Sequence, residues 1–188
     1  YPKLTEIGSR MNHSRRRDDA GHMLGGFYTQ TDIREIVRYA ADRHITIVPE
    51  IEMPFHTGAA IVAHPELGIN VGHLRELAPE QRWGKTKGLI APRPKTVAFL
   101  QDVLREVMSL FPSTYIHIGG DEANTGRWAA DPEVQAQMRR LKLEDAHTLH
   151  SWFIKQMDSF LTENGRRLVG WDEILQGGPG LFYILSTG

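Results

Sequence analysis

The amino-acid sequence predicts an α/β fold built on a parallel sheet. Stretches with helical periodicity alternate along the chain with short runs of apolar and β-branched residues. The run over residues 45–48 is apolar or β-branched throughout, which is typical of a strand covered on both faces. Acidic residues follow three of these runs directly, and parallel strands would bring those acids to one edge of the sheet.

Composition is that of an ordinary globular domain and argues against several classes of partner. The 188 residues, 40% of them hydrophobic, suffice for one domain with a core. The net charge of -1 gives no support for binding to nucleic acid or to an anionic membrane surface. No apolar run approaches the roughly 20 residues of a membrane span. The chain has no cysteine, so disulfides do not stabilise the fold.

The first half of the chain is predicted to contain one well-defined helix. Thr29 and Asp32 have the spacing of a capping box, and the residues that follow have helical spacing. Residues 59–63 fit a single helical turn. The expected elements are a long loop over 1–26, a helix over 30–43, a strand over 45–48 and an irregular excursion over 57–94.

The second half is predicted to contain three helices and three strands. Asp131 and Asp145 are expected to cap two of the helices, and Gly165 is expected to end the last one. The expected helices cover 96–111, 132–141 and 146–164, the expected strands cover 115–118, 167–170 and 182–185, and a glycine-rich loop covers 177–180.

Three strand ends carry two carboxylates each: Glu50 with Glu52, Asp121 with Glu122, and Asp172 with Glu173. Carboxylates that converge in a cleft suit glycoside hydrolysis, where one acid protonates the leaving oxygen. Side chains of adjacent strand residues point in different directions, so Asp121 and Glu122 are not expected to flank one anomeric carbon. An isolated Asp-Glu pair is more often a solvated acidic loop.

The segment HIGGDE, residues 117–122, resembles the active-site signature of the β-N-acetylhexosaminidases of glycoside hydrolase family 20. VPEIEMPFH at 48–56 and GWDEIL at 170–175 resemble two further segments of that family, in the same order. The resemblance implies a (β/α)8 TIM barrel, of which this chain would supply roughly strands 3 to 6 with their helices. A complete barrel needs about 250 residues, so residues 1–188 are expected to be a fragment of a single catalytic barrel domain.

The resemblance also implies roles for residues at the strand ends. Glu122 would be the general acid and later the base. Asp121 would hold the acetamido N–H of the substrate, whose own acetamido oxygen would be the nucleophile. His56 would form a hydrogen bond that tunes Glu122. Glu52 stands where the family pattern has Asp, so its detailed role is open.

Aromatic side chains are expected around the sugar, because sugars present apolar faces to aromatic rings. By resemblance, Trp171 would wall the pocket around the acetamido methyl group. Trp152 fits either such a wall or the protein core, and Trp128 is expected at the rim of the pocket. His117 lies within a strand and is expected to be packed or to support its neighbours.

The implied activity is hydrolysis of terminal, non-reducing N-acetyl-β-D-hexosamine residues from glycans, with retention and without a cofactor or metal. The expected partner is a glycan that contains N-acetylhexosamine. The fragment alone is expected to be inactive, because barrel strands would be missing. A two-carboxylate retaining glycosidase and an inactive sugar-binding barrel stay open as alternatives. A metallohydrolase is disfavoured, since neither H-x-H nor H-E-x-x-H occurs.

Overall fold

A three-stranded sheet forms the centre of the fold. The structure is a computed structural model that describes residues 1–10 and 26–175 and the backbone of 184–186. Its strands are β1 (Tyr115–His117), β2 (Arg167–Trp171) and β3 (Ile184–Ser186). They are parallel and lie in the order β1-β2-β3, with Ile116 beside Leu168 in the register. This arrangement confirms the expected parallel α/β fold.

Helices connect and cover the strands, and the longer ones agree with the expected bounds to within two residues. Short 3-10 helices occur at Pro65–Leu67 and Asp172–Leu175. None of the helices in the described ranges is long and apolar enough to cross a membrane. The α-helices are α1 (Lys3–Glu6), α2 (Gln30–Ala41), α3 (Gly58–Ala63), α4 (Gly72–Arg75), α5 (Pro79–Arg82), α6 (Pro94–Leu110), α7 (Gly126–Ala129), α8 (Pro132–Leu141) and α9 (Ala146–Glu163).

Side chains cap the starts of α2, α8 and α9, as the sequence predicts. The N–H of Asp32 donates to Thr29 Oγ1 at 3.1 Å, and the N–H of Thr29 donates to the Asp32 carboxylate at 2.8 Å. Asp131 accepts two N–H groups from the first turn of α8, and Asp145 accepts the N–H of Thr148 at 2.8 Å. These bonds satisfy N–H groups that have no partner within the helix.

The main core lies between the sheet and helices α6 and α9. The side chains that are almost completely buried there include Ile116 of β1, Leu168 of β2, Leu104 of α6 and Ile154 of α9. Burial of such a side chain contributes about 1.5–3 kcal/mol. A second apolar cluster surrounds Trp128 and includes residues of the excursion and of α8 and α9.

The strand expected over residues 45–48 is wrong. Ile45 and Val48 are exposed, and the chain instead pairs with β1 two residues after the expected strand, in an isolated parallel bridge between Glu50 and His117. The N–H of Ile51 donates to the His117 carbonyl at 2.9 Å. An apolar run predicts a buried strand only if neighbours cover both faces, and the described residues supply no such cover for Ile45 and Val48.

Two loops are more ordered than the sequence predicts. The loop expected over residues 1–26 contains α1, while residues 11–25 lie outside the described part of the chain. The excursion over 57–94 contains α3, which confirms the helical turn expected over 59–63, and it also contains α4 and α5 and an antiparallel bridge between Gly68 and Ile90. Helices of one turn carry too little periodicity for sequence analysis. The loop at 177–180 and residues 182–183 of the last expected strand lie outside the described residues.

The chain leaves β1 through two glycines in the left-handed region. Gly119 has a φ of 68° and Gly120 a φ of 97°, conformations that cost other residues about 1–2 kcal/mol. A Cβ on Gly120 would also overlap Cγ2 of the fully buried Ile174. Gly84 has a comparable φ of 73° but open space around it.

We predict that Gly120→Ala destabilises the fold more than Gly84→Ala, by about 1–3 kcal/mol, the usual cost of overpacking a core. Both substitutions strain the backbone, but only the first forces a methyl group into the core. Chemical denaturation monitored by circular dichroism measures both free energies of unfolding. Equal losses in the two variants would show that the close packing at Gly120 is unimportant.

Candidate active site

The candidate active site lies at the carboxyl end of β1. The glycine turn carries the chain from β1 to Asp121 and Glu122, and the strand-like segment beside β1 leads to His56. Both His56 and Glu122 have positive φ angles, 55° and 50°. Non-glycine residues in this region are uncommon and are often found at functional sites.

His56 lies against both neighbouring carboxylates. Its Nε2 is 3.2 Å from Oε2 of Glu122 and 3.5 Å from Oδ2 of Asp121. The expectation that Asp121 and Glu122 point in different directions is therefore wrong. The rule of alternating directions holds within a strand, whereas β1 ends at His117 and the left-handed Glu122 turns its side chain back.

The two carboxylates differ in exposure. The side chain of Asp121 is 21% exposed, that of Glu122 is 67% exposed, and that of His56 is 40% exposed. The Oδ1 atom of Asp121 is buried and has no hydrogen-bond partner among the described residues. A buried acceptor without a partner costs about 1–3 kcal/mol, and no hydrogen bond from the described residues offsets this cost.

The side chain of Glu52 lies against the backbone of the glycine turn that precedes Asp121 and Glu122. A Cβ on Gly119 would overlap its carboxylate, and its Oε2 atom is buried without a described hydrogen-bond partner. Burial, reinforced by the negative charge of Asp121, raises the pKa of Glu52 from 4.5 to about 7, although His56 opposes this shift. Ionisation of Glu52 therefore disfavours the folded state. The contribution of protonated Glu52 to the free energy of unfolding is fully present below pH 4.5 and is lost as the pH rises through about 7.

His117 is buried and supports the turn, as expected. Its Nδ1 lies 3.0 Å from the backbone N of Gly119, which donates to it, and 3.3 Å from Oε1 of Glu50. A ring nitrogen cannot accept from one group and donate to the other in the same tautomer, so the proton on His117 selects between these partners. The indole of Trp171 lies edge-on to the same ring, with centroids 5.1 Å apart.

The tryptophans occupy different environments. Trp171 is half-buried at the end of β2, whereas Trp152 is half-buried between the two apolar clusters of the core. The expectation that Trp128 lines the rim is wrong. Trp128 is fully buried and its Nε1 donates to the Ile90 carbonyl at 2.8 Å, so the indole binds the excursion to α7.

Two contacts at the site were not predicted from the sequence, and one expected pair of carboxylates makes no described contact with His56. The ring of Phe55 packs on His56 with centroids 4.5 Å apart, a contact that no spacing rule predicts. Glu50 contacts His117, which the paired strand ends could have indicated. Asp172 and Glu173 lie on a 3-10 helix, and no contact within the described residues joins them to His56.

His56, Asp121 and Glu122 each offer one atom to a set that lies within 4.8 Å. One imidazole and two carboxylates are a donor set that suits a divalent cation such as Zn²⁺. His56 is far in sequence from the adjacent Asp121 and Glu122, so the H-x-H and H-E-x-x-H patterns could not reveal the set. The arrangement can thus transfer protons between imidazole and carboxylate, or hold a cation.

Known proteins resemble the chain in both sequence and structure. The sequence model of one protein family, described as the catalytic domain of glycosyl hydrolase family 20, matches residues 1–186. A beta-hexosaminidase from Porphyromonas gingivalis is 47% identical over 95% of this chain and 22% of that protein. A beta-hexosaminidase from Vibrio furnissii is 38% identical over 94% of this chain and 29% of its own length.

Solved structures agree. The β-N-acetylhexosaminidase of Bacteroides fragilis superposes with a TM-score of 0.75 at 37% identity, over 93% of this chain and 32% of that one. A family 20 exo-β-N-acetylglucosaminidase of Vibrio harveyi, solved with N-acetylglucosamine, gives a TM-score of 0.77 at 34% identity, over 94% of this chain and 28% of that one. The chain spans less than a third of the length of these relatives. The match of the family model over residues 1–186 and the identity to these relatives show that the chain belongs to glycosyl hydrolase family 20.

Proposed function

We propose that the protein hydrolyses terminal, non-reducing N-acetyl-β-D-hexosamine residues from glycans, with retention and with the substrate's 2-acetamido oxygen as nucleophile. Family membership and the names of the relatives support the substrate class. The observation that carries the mechanism is the buried, unpartnered Oδ1 of Asp121 beside the exposed Glu122.

Asp121 has the properties needed to hold an acetamido N–H. Its free oxygen is buried, and a hydrogen bond from the substrate would remove the penalty of leaving it unpartnered. The same carboxylate would stabilise the positive charge that develops when the acetamido oxygen attacks the anomeric carbon. No carboxylate of the protein then forms a covalent bond to the sugar.

Glu122 has the properties of the acid that protonates the leaving oxygen. Its side chain is 67% exposed, so it can reach an oxygen that departs toward solvent. His56, 3.2 Å away, is close enough to exchange or share a proton with it. After departure of the aglycone, the same carboxylate would remove a proton from the water that opens the cyclic intermediate.

Glu52 would keep the total charge of the site low. Its pKa of about 7 leaves it largely protonated at mildly acidic pH, so that Asp121 can remain ionised beside it. Trp171, half-buried at the end of β2, would form an apolar wall for the acetamido methyl group. Trp152, between the two core clusters, would support that wall from behind.

Two specific observations favour alternatives. Oxygens of Asp121 and Glu122 lie within 4.8 Å, close to the ~5–5.5 Å that separates the two acids of ordinary retaining glycosidases. The same residues with His56 could bind a catalytic cation. Turnover of an aryl N-acetyl-β-glucosaminide but not of the plain aryl β-glucoside supports the acetamido mechanism. Loss of turnover after dialysis against a chelator, restored by Zn²⁺, would support the metal instead. Sugar binding without any turnover would identify an inactive barrel.

We further propose that the described sheet is part of a (β/α)8 barrel, roughly strands 3 to 6. Three parallel strands are described, fewer than the eight of a barrel. We predict that residues 1–188 alone do not hydrolyse an aryl N-acetyl-β-glucosaminide, because a partial barrel cannot enclose a sugar. Turnover by the purified chain near the enzyme median of about 10 per second would contradict this.

We predict that Glu122→Gln and Asp121→Asn respond oppositely to the leaving group, measured in the complete protein. Glu122→Gln should lower kcat by roughly 10²–10⁴ with a poor leaving group, and an activated dinitrophenyl glycoside should restore much of it. Asp121→Asn should lose roughly 10²–10³ with both substrates, because attack by the acetamido oxygen is itself impaired.

Asp172→Asn is the matched control, since it removes an exposed carboxylate from the end of the neighbouring strand. Its rate should stay within about twofold of the wild type. Equal rescue of the two site variants by the activated substrate, or a glycosyl-carboxylate adduct in the mass spectrum, would establish the two-carboxylate mechanism instead.

We predict that His56→Ala lowers kcat/KM in the complete protein and moves the high-pH limb of its pH profile. The imidazole contacts both carboxylates, so its removal changes which groups can exchange a proton with Glu122 and should move that limb. His64→Ala is the control, because His64 forms a similar pair with Glu66 at 3.0 Å outside the site. A profile unchanged in both position and height would reduce His56 to a packing residue.

A further inference from the structure

A cavity of about 580 Å³ opens between the excursion over 57–94 and α7. Its volume falls in the range of about 300–1,000 Å³ that is usual for ligand pockets. Residues of the excursion line most of the cavity, and Arg127 of α7 with Ala130 completes the lining. The floor is apolar, made by buried residues that include Ile61, Leu74 and Leu89.

The polar lining of this cavity is cationic. Lys85, Lys87 and Arg127 contribute to it together with the imidazole of His73, and no carboxylate lines it. None of these four side chains forms an ion pair or hydrogen bond with a described residue. Asp131, the acid nearest to Arg127 in sequence, is buried and already accepts the N–H of Asn70 at 2.9 Å. No acid among the described residues therefore neutralises Lys85, Lys87 or Arg127.

Two chain connections join the cavity to the candidate active site. Lys87 precedes Gly88, whose carbonyl accepts the N–H of Thr57 at 3.1 Å, directly after His56. The space next to Gly88 is filled by the Phe55 ring, which packs on His56. On the opposite wall, Arg127 follows Glu122 by five residues through α7. Both walls therefore belong to the loops that carry the proposed catalytic groups.

We propose that this cavity binds an anionic group, a sulfate ester or a carboxylate, on a sugar adjoining the terminal N-acetylhexosamine of an acidic glycan. This assignment rests on the proposed function for the position of the terminal sugar. The apolar floor would contact the sugar face, while Lys85, Lys87 and Arg127 would form charge-assisted hydrogen bonds with the anion. The protein would then prefer acidic glycans to their neutral counterparts.

The test measures binding of three oligosaccharides that end in N-acetyl-β-glucosamine: one sulfated on the adjoining sugar, its desulfated twin and one with an adjoining uronate. Isothermal calorimetry uses the complete protein in its Glu122→Gln form, so that the probes are not cleaved. In this background Lys87→Gln and Arg127→Gln should each weaken binding of at least one acidic probe about threefold to tenfold. Binding of the neutral twin should not change.

Lys155→Gln is the control, because Lys155 is an exposed lysine on α9 outside the cavity. It should leave all three dissociation constants unchanged. The acidic probe that loses affinity identifies the anion as sulfate or carboxylate. Equal weakening of acidic and neutral probes, equal weakening in Lys155→Gln, or no change in either cavity variant would overturn the proposal. Hydrolysis of a neutral aryl substrate by the wild type is scored separately, so failure of the proposed activity stays distinguishable.

Discussion

The site depends on the close approach of Glu52 to the backbone at Gly119. Only a residue without a Cβ can hold the left-handed conformation at this position and leave room for the carboxylate. The same glycine donates its N–H to His117 at 3.0 Å, which fixes the end of β1. Because the chain turns here, Asp121 and Glu122 leave the alternation of the strand and both face His56.

This geometry brings the carboxyl groups of Glu52 and Asp121 together where water is partly excluded. Burial and the charge of Asp121 hold the pKa of Glu52 near 7, so ionising Glu52 costs more free energy in the folded protein than in the unfolded chain. At mildly acidic pH Glu52 is therefore largely protonated, which lowers the negative charge beside Asp121. The cationic cavity along the same loops has the opposite sign and lies to one side.

Sequence analysis could predict the long helices, the parallel sheet and the gathering of residues from distant segments, because caps, periodicity and strand-end motifs are local signals. It failed where tertiary contacts decide. Residues 45–48 are apolar but lack neighbours on both faces, and Trp128 is buried because its indole N–H reaches the Ile90 carbonyl. The shared direction of Asp121 and Glu122 follows from positive φ angles that no alternation rule contains.

The coupling of Glu52 to Asp121 across the glycine turn can be measured through the pKa of Glu52. The experiment is a carbon NMR titration of protein labelled at its glutamate carboxyl carbons, in wild type and in Asp121→Asn. Glu52 should titrate near pH 7 in the wild type and at lower pH in the variant, because one of the charges that raises its pKa is gone. Titration of Glu52 near its ordinary value of 4.5 in both proteins would show that the two carboxyl groups are not coupled.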